Sequence, residues 1–103
     1  MPLNLEPENL AIVHEILQRN LPDRTVWAFG SRATGRHVKR FSDLDLAVEG
    51  TLSFSQRGQL REEFGECLLP MKVDIIELGS VDASFRERIE KDFVPVQLAR
   101  VPA

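Results

Sequence analysis

An α/β layer, a small sheet flanked by helices, is the fold class that this sequence predicts. Three observations carry it. Apolar residues recur at helical spacing in 7–20 and again in 81–93. Three runs rich in β-branched, aromatic or aliphatic residues, 25–29, 44–49 and 71–78, read as short strands. The elements alternate in the order helix, strand, strand, helix, strand, helix, which suits helices covering one small sheet. Strand direction does not follow from the pattern alone.

The first helix starts at Pro7 and puts Leu10, Val13, Ile16 and Leu17 on one face; Asn20, with Pro22 beyond it, is the stop. "TVWAF", residues 25–29, is a strand that runs straight into a tight turn at Gly30. Residues 44–49 make the second strand. The chain turns between Thr51 and Ser55, and a second helix reaches about Leu69, where Pro70 ends it. "MKVDIIEL", from Met71 to Leu78, is the third strand, closed by Gly79. Val81, Phe85, Ile89 and Phe93 then recur every four residues, marking a last helix capped by Ser80 or Asp82. The tail from Val94, with Pro95 and Pro102, reads either as loosely ordered or, through the alternation in "VPVQL", as an added edge strand. Three strands leave apolar surface over for a partner.

A chain of 103 residues, 43% hydrophobic and 28% charged, makes one domain spanning residues 1–103, with a single core and no room for a second substrate module. It has no apolar tract of membrane-spanning length, and Met1 to Glu6 carry no signal-peptide pattern, so a cytoplasmic address is the expectation. The one cysteine, Cys67, excludes an intrachain disulfide; in register with Leu60, Phe64 and Leu68, it reads as a buried thiol. The net charge of −3 is unevenly spread. Residues 30–40 hold Arg32, Arg36, Lys39 and Arg40 and no acid, whereas the rest of the chain is acidic. That balance excludes broad binding to a nucleic-acid backbone, and no direct nucleic-acid partner is expected. Four clustered cations can still hold a compact polyanion such as a triphosphate; the plainer reading is a solvated loop.

Asp43 and Asp45, spaced i, i+2 at a strand, face one side while Leu44, Leu46 and Val48 face the other. Two close carboxylates repel unless a cation or water lies between them; a polar turn at the strand start is the alternative. Asp74 sits within "VDII", among residues that belong in a core, where a lone carboxylate is costly. A metal shared with Asp43 and Asp45 resolves the cost if the two strands are neighbours, and three hard oxygen donors with open positions suit Mg²⁺. Pairing with Arg32 is the structural alternative. Gly30 and Ser31 follow a strand, where glycine lets backbone amides approach a phosphate and the serine adds a hydroxyl. "GSRATGR" imitates a G-x-x-x-x-G-K-[ST] phosphate loop, but Arg36 and His37 stand where that loop needs lysine and a hydroxyl residue, so it is not one. His14 and His37 have no ligand partners at zinc spacing. Trp27 packs in the core or stacks on a base.

"GSRATG…SDLDLAV" together with "VDII" resembles the nucleotidyltransferase superfamily that includes DNA polymerase beta, and within it the minimal nucleotidyltransferase (MNT) branch. The resemblance runs from Trp27 to Leu78 in motifs and covers the flanking helices in length and order. It implies the polymerase beta-like palm, a small mixed sheet flanked by helices. It further implies a HEPN-type partner protein, forming a hetero-oligomer as in toxin–antitoxin pairs, and transfer of AMP from ATP to a tyrosine of that partner. Carried over residue by residue, Asp43 and Asp45 would hold two Mg²⁺ ions, and Asp74 would bind the one that activates the attacking hydroxyl. Gly30 and Ser31 would grip the outer phosphates, while Arg32 would contact phosphate or brace the loop. Thr34 departs from the arginine that many members of this branch have before the second glycine, which bears on phosphate contacts and partner choice.

Two other functions compete with this one. A binding module could neutralise the HEPN protein by contact alone, and replacing Asp43 and Asp45 by asparagine would leave its action intact. Adenylyl transfer to a small molecule would need the partner to supply the acceptor site. The chain has no tyrosine, so it is not its own tyrosine acceptor.

Overall fold

Residues 3–100 are described by the computed structural model; Pro102 of the expected tail, and Met1 and Pro2 ahead of the first helix, lie outside them. Helix α1, Pro7–Asn20, begins on Pro7, whose missing N–H costs nothing in a first turn, and buries Val13, Ile16 and Leu17. Strand β1, Val26–Phe29, is followed without a loop by a one-turn helix, α2, Ser31–Thr34. Strand β2 is Leu44–Val48, helix α3 is Phe54–Glu66, strand β3 is Val73–Glu77, helix α4 is Ala83–Glu90 and strand β4 is Val94–Gln97. Of the two expected caps for α4, the structure uses Asp82, whose carboxylate accepts from the Phe85 amide at 2.8 Å.

The sheet has the order β3-β2-β1-β4. β1 runs antiparallel to β2 and β4, and β2 runs parallel to β3, so the sheet is mixed. Alternation sends Val26, Ala28, Leu44, Leu46 and Val48 to one face, where they meet Val13, Ile16, Leu17 and Leu60 of α1 and α3. Burying Leu17, Leu44 and Leu46 stabilises the fold by about 1.5–3 kcal/mol each, before the entropy of ordering them. The opposite face carries a second cluster under α4, in which Ala47, Leu78 and Ile89 pack with Trp27, Phe29 and Phe93. Trp27 and Phe93 stack at 5.0 Å between ring centroids, 13° from parallel, so the packing role of Trp27 is the one observed.

One open alternative is resolved and three expectations are corrected. The tail is an ordered edge strand: Val94 and Pro95 pair with Ala28 and Trp27, and the Gln97 amide donates to the carbonyls of Leu21 and Arg24 at 2.7 and 3.0 Å. The turn after Gly30 is instead a helical turn. Helix α3 ends at Glu66 rather than near Leu69, because Pro70 disfavours helical backbone at Leu69 and Cys67 is already extended. Leu68 consequently points to solvent, 89% exposed, and Cys67 is half-buried past the helix end, its thiol donating to the Phe64 carbonyl at 3.1 Å.

Candidate active site

Register makes the site. Asp45 of β2 is in register with Phe29 of β1 on one side and Asp74 of β3 on the other, and equal alternation brings the three side chains to one face. The next row along, Trp27, Ala47 and Ile76, closes into the cluster under α4. The second face is therefore half apolar and half acidic. Asp43 lies one residue ahead of β2 and is exposed.

Asp45 is half-buried, and burial pushes its pKa up, with the charges of Asp74 and then Asp43 adding to the effect. Each of these influences opposes ionisation. Asp74 is less enclosed than "VDII" suggests: Val73 and Ile75 pack toward the core face, while the Asp74 side chain is 48% exposed. Its only ion pair among the described residues is a long contact, 3.9 Å, to the Lys72 ammonium. Pairing between Asp74 and Arg32 does not occur.

Gly30 sits directly over Asp45. Its φ of +75° belongs to the region that favours glycine, and a Cβ built there would lie 2.5 Å from Asp45 Oδ2. The Gly30 carbonyl accepts from the amides of Ala33 and Thr34, both at 3.1 Å, which fixes α2 and sets Ser31 at its first position. Gly35, at φ +79°, ends the turn by donating to the Ser31 carbonyl at 2.8 Å.

The cationic cluster divides. Arg36, Lys39 and Arg40 are exposed, Arg36 lying 3.5 Å from Asp92. Arg32 is 6% exposed, and its guanidinium donates to the carbonyls of Asn4, Lys39, Arg40 and Ser42. These bonds tie Arg32 to the Lys39–Ser42 turn and to Asn4. His14 and His37 are both exposed, and His37 is at φ +58°. A groove of about 550 Å³ is lined by Leu60, Phe64, Val73 and Ile75 from the core side of the sheet, and Asp74 alone of the three acids also lines it.

Asp43, Asp45 and Asp74 fit a divalent cation by their chemistry. Among the described residues no three His, Cys, Asp or Glu side chains close into a ready cage. An open set of carboxylates is nonetheless what Mg²⁺ takes, since it keeps several waters and shares its sphere with phosphate. A cation at Asp45 would offset the three influences that now raise its pKa. The contribution of Asn4 left no trace in the sequence, because its carbonyl is the group used.

Comparison with known proteins gives a consistent picture. The family described as Polymerase beta, Nucleotidyltransferase matches residues 12–96. A probable protein adenylyltransferase MntA from Haemophilus influenzae is 47% identical over 97 residues, covering 92% of this chain and 84% of that protein. A crystal structure of a toxin-antitoxin with AMP-PNP superposes with a TM-score of 0.70 at 23% identity, over 89% of this chain and 75% of the other. The complex of tri-AMPylated Shewanella oneidensis HEPN toxin with MNT antitoxin contains a chain with a TM-score of 0.67 at 20% identity, over 92% of this chain and 74% of the other. At those identities the likeness is one of fold.

Proposed function

The chain belongs to the polymerase beta nucleotidyltransferase family, and from that premise we propose that it is a Mg²⁺-dependent protein adenylyltransferase, moving AMP from ATP to a tyrosine hydroxyl of a HEPN-type partner. The observation that carries the reading is the in-register pair Asp45 and Asp74 with Gly30 seated on Asp45 Oδ2, which joins a carboxylate pair to a glycine-serine turn. The 47% identity to the Haemophilus protein supports the choice of acceptor class. A cytoplasmic setting, where ATP and Mg²⁺ are at hand, goes with it.

In this mechanism Asp43 and Asp45 would hold Mg²⁺, while Ser31 and the backbone beside Gly30 would hold the outer phosphates. Bound Mg²⁺ supplies charge neutralisation at phosphorus and at the attacking and leaving oxygens. Asp74, half-exposed next to Asp45, would bind the ion that activates the incoming hydroxyl. A bond forms from that oxygen to the α-phosphorus, the bond to the bridging oxygen breaks, pyrophosphate departs and the hydroxyl proton goes to solvent. Positioning and electrostatics do the rest, with no covalent enzyme intermediate.

The test is intact-mass analysis of the HEPN partner after incubation with this chain, ATP and Mg²⁺, beside an Asp43→Asn/Asp45→Asn control. Mass added in whole AMP units, and absent from the control, is the expected result. A stable complex whose mass never changes would replace this reading with neutralisation by contact.

A further inference from the structure

We propose that Arg32 is a positioning residue for Asp43, setting metal affinity through main-chain carbonyls without touching substrate. The proposal rests on the reading of Asp43 and Asp45 as the Mg²⁺ pair. Arg32 is the one buried charged residue among the described residues, 6% exposed, and its side-chain partners there are carbonyls rather than carboxylates. A buried cation without an anion is costly to keep, and here four carbonyl dipoles offset that cost. Nε donates to Ser42 O at 2.8 Å, Nη1 to Asn4 O at 2.8 Å, and Nη2 to Arg40 O at 3.0 Å and Lys39 O at 3.4 Å. Three of the four acceptors belong to one turn, Lys39–Ser42, closed by Ser42 N donating to Lys39 O at 3.1 Å and Lys39 N donating to Ser42 Oγ at 2.8 Å.

The peptide plane explains why this matters at Asp43. The Ser42 carbonyl and the Asp43 nitrogen and Cα lie in one rigid unit, so a guanidinium that fixes the carbonyl fixes where Asp43 enters the site. The backbone of Arg32 belongs to α2, directly after Gly30 and Ser31. Its carbonyl also accepts from the Asn4 amide at 2.8 Å, so the N-terminal segment is bonded to Arg32 at both its main chain and its side chain. One residue thus ties together the glycine-serine turn, the acidic turn and the segment before α1. Lysine keeps the charge but cannot reach four carbonyls from a planar fork.

Arg32→Lys and Ser42→Ala, the second loosening the same turn more gently, are compared with Leu17→Ala, a core variant in α1. Thermal shift of the whole protein against Mg²⁺ concentration gives the midpoint for metal, and hydrogen exchange in metal-free protein follows the Ser42 amide. Arg32→Lys should raise the Mg²⁺ midpoint by about 10-fold to 100-fold, the range for residues that orient metal ligands, and speed Ser42 exchange. Ser42→Ala should move both in the same direction by less, and Leu17→Ala should lower the melting temperature with the midpoint unchanged. A wild-type midpoint in Arg32→Lys, or an equal rise in Leu17→Ala, overturns the proposal. If Arg32→Lys does not fold, an unshifted Ser42→Ala overturns it. Failure of the wild-type protein to bind Mg²⁺ at all would instead sink the underlying reading of the acids.

Discussion

Asp45 and Asp74 stand opposite each other on adjacent parallel strands, two carboxylates abreast with no cation between them in the fold itself. Because the folded state raises the pKa of Asp45, it binds that proton more tightly than the unfolded chain does. The metal-free protein therefore gains stability from this group below the ordinary aspartate range. It loses that contribution as pH rises from there through the raised value. Added Mg²⁺ should reverse the loss. Asp45→Asn should abolish transfer yet raise the metal-free melting temperature near pH 7 by about 2–4 °C, equivalent to about 0.5 kcal/mol for a partly solvated repulsion. Calorimetry with and without Mg²⁺ checks it, and a destabilised Asp45→Asn would contradict the account.

Gly30→Ala should lower the transfer rate by about 100-fold or more while the protein stays folded. The added Cβ falls on Asp45 Oδ2 and the backbone is held at φ +75°, which alone costs about 1 kcal/mol. Single-turnover kinetics beside circular dichroism separate a displaced carboxylate from an unfolded chain; full activity would show that the carboxylate moves aside at no cost.

Glu77 should contribute to acid sensitivity alongside Glu63, both carboxylates being pulled down to about 2. The Glu77 carboxylate accepts from Arg57 Nε and Nη2 at 2.6 and 2.9 Å and from the Leu52 amide at 2.8 Å. A depressed carboxylate contributes stability above the ordinary glutamate range and loses it as pH falls toward about 2. Glu77→Gln should cost about 1–2 kcal/mol at pH 7 and flatten the acid limb of the stability profile. Urea unfolding at several pH values measures both.

Phe93→Leu removes the ring that stacks on Trp27 and tilts against Phe29, and changes none of the acids themselves. It should lower stability by about 1–2 kcal/mol and leave the KM for ATP unchanged. A raised KM would return Trp27 to the role of a base-stacking platform.

Local signals read correctly wherever one residue type had one physical use. Pro7 and Asn20 bounded α1 to the residue, and the i, i+2 pair marked Asp43 and Asp45 before any strand pairing was known. What escaped depended on groups that a sequence does not distinguish. β4 was ambiguous because Pro95 is tolerated on an edge strand, and only the bonds to Ala28 and Trp27 decide its state. Asp74 looked buried because "VDII" is apolar, but alternation on an edge strand turns every second residue outward. Arg32 counted as one of four loop cations, whereas its partners are main-chain carbonyls, which every residue possesses.

The position of β4 has a consequence for synthesis. β1 is an inner strand, yet one of its two neighbours, β4, is some seventy residues downstream and emerges from the ribosome after the other three strands. Until then the nascent sheet ends at β1, with one side of its backbone unpaired. Contacts closed over so long a loop form late, and bare strand edges are what chaperones bind and what neighbouring nascent chains stick to.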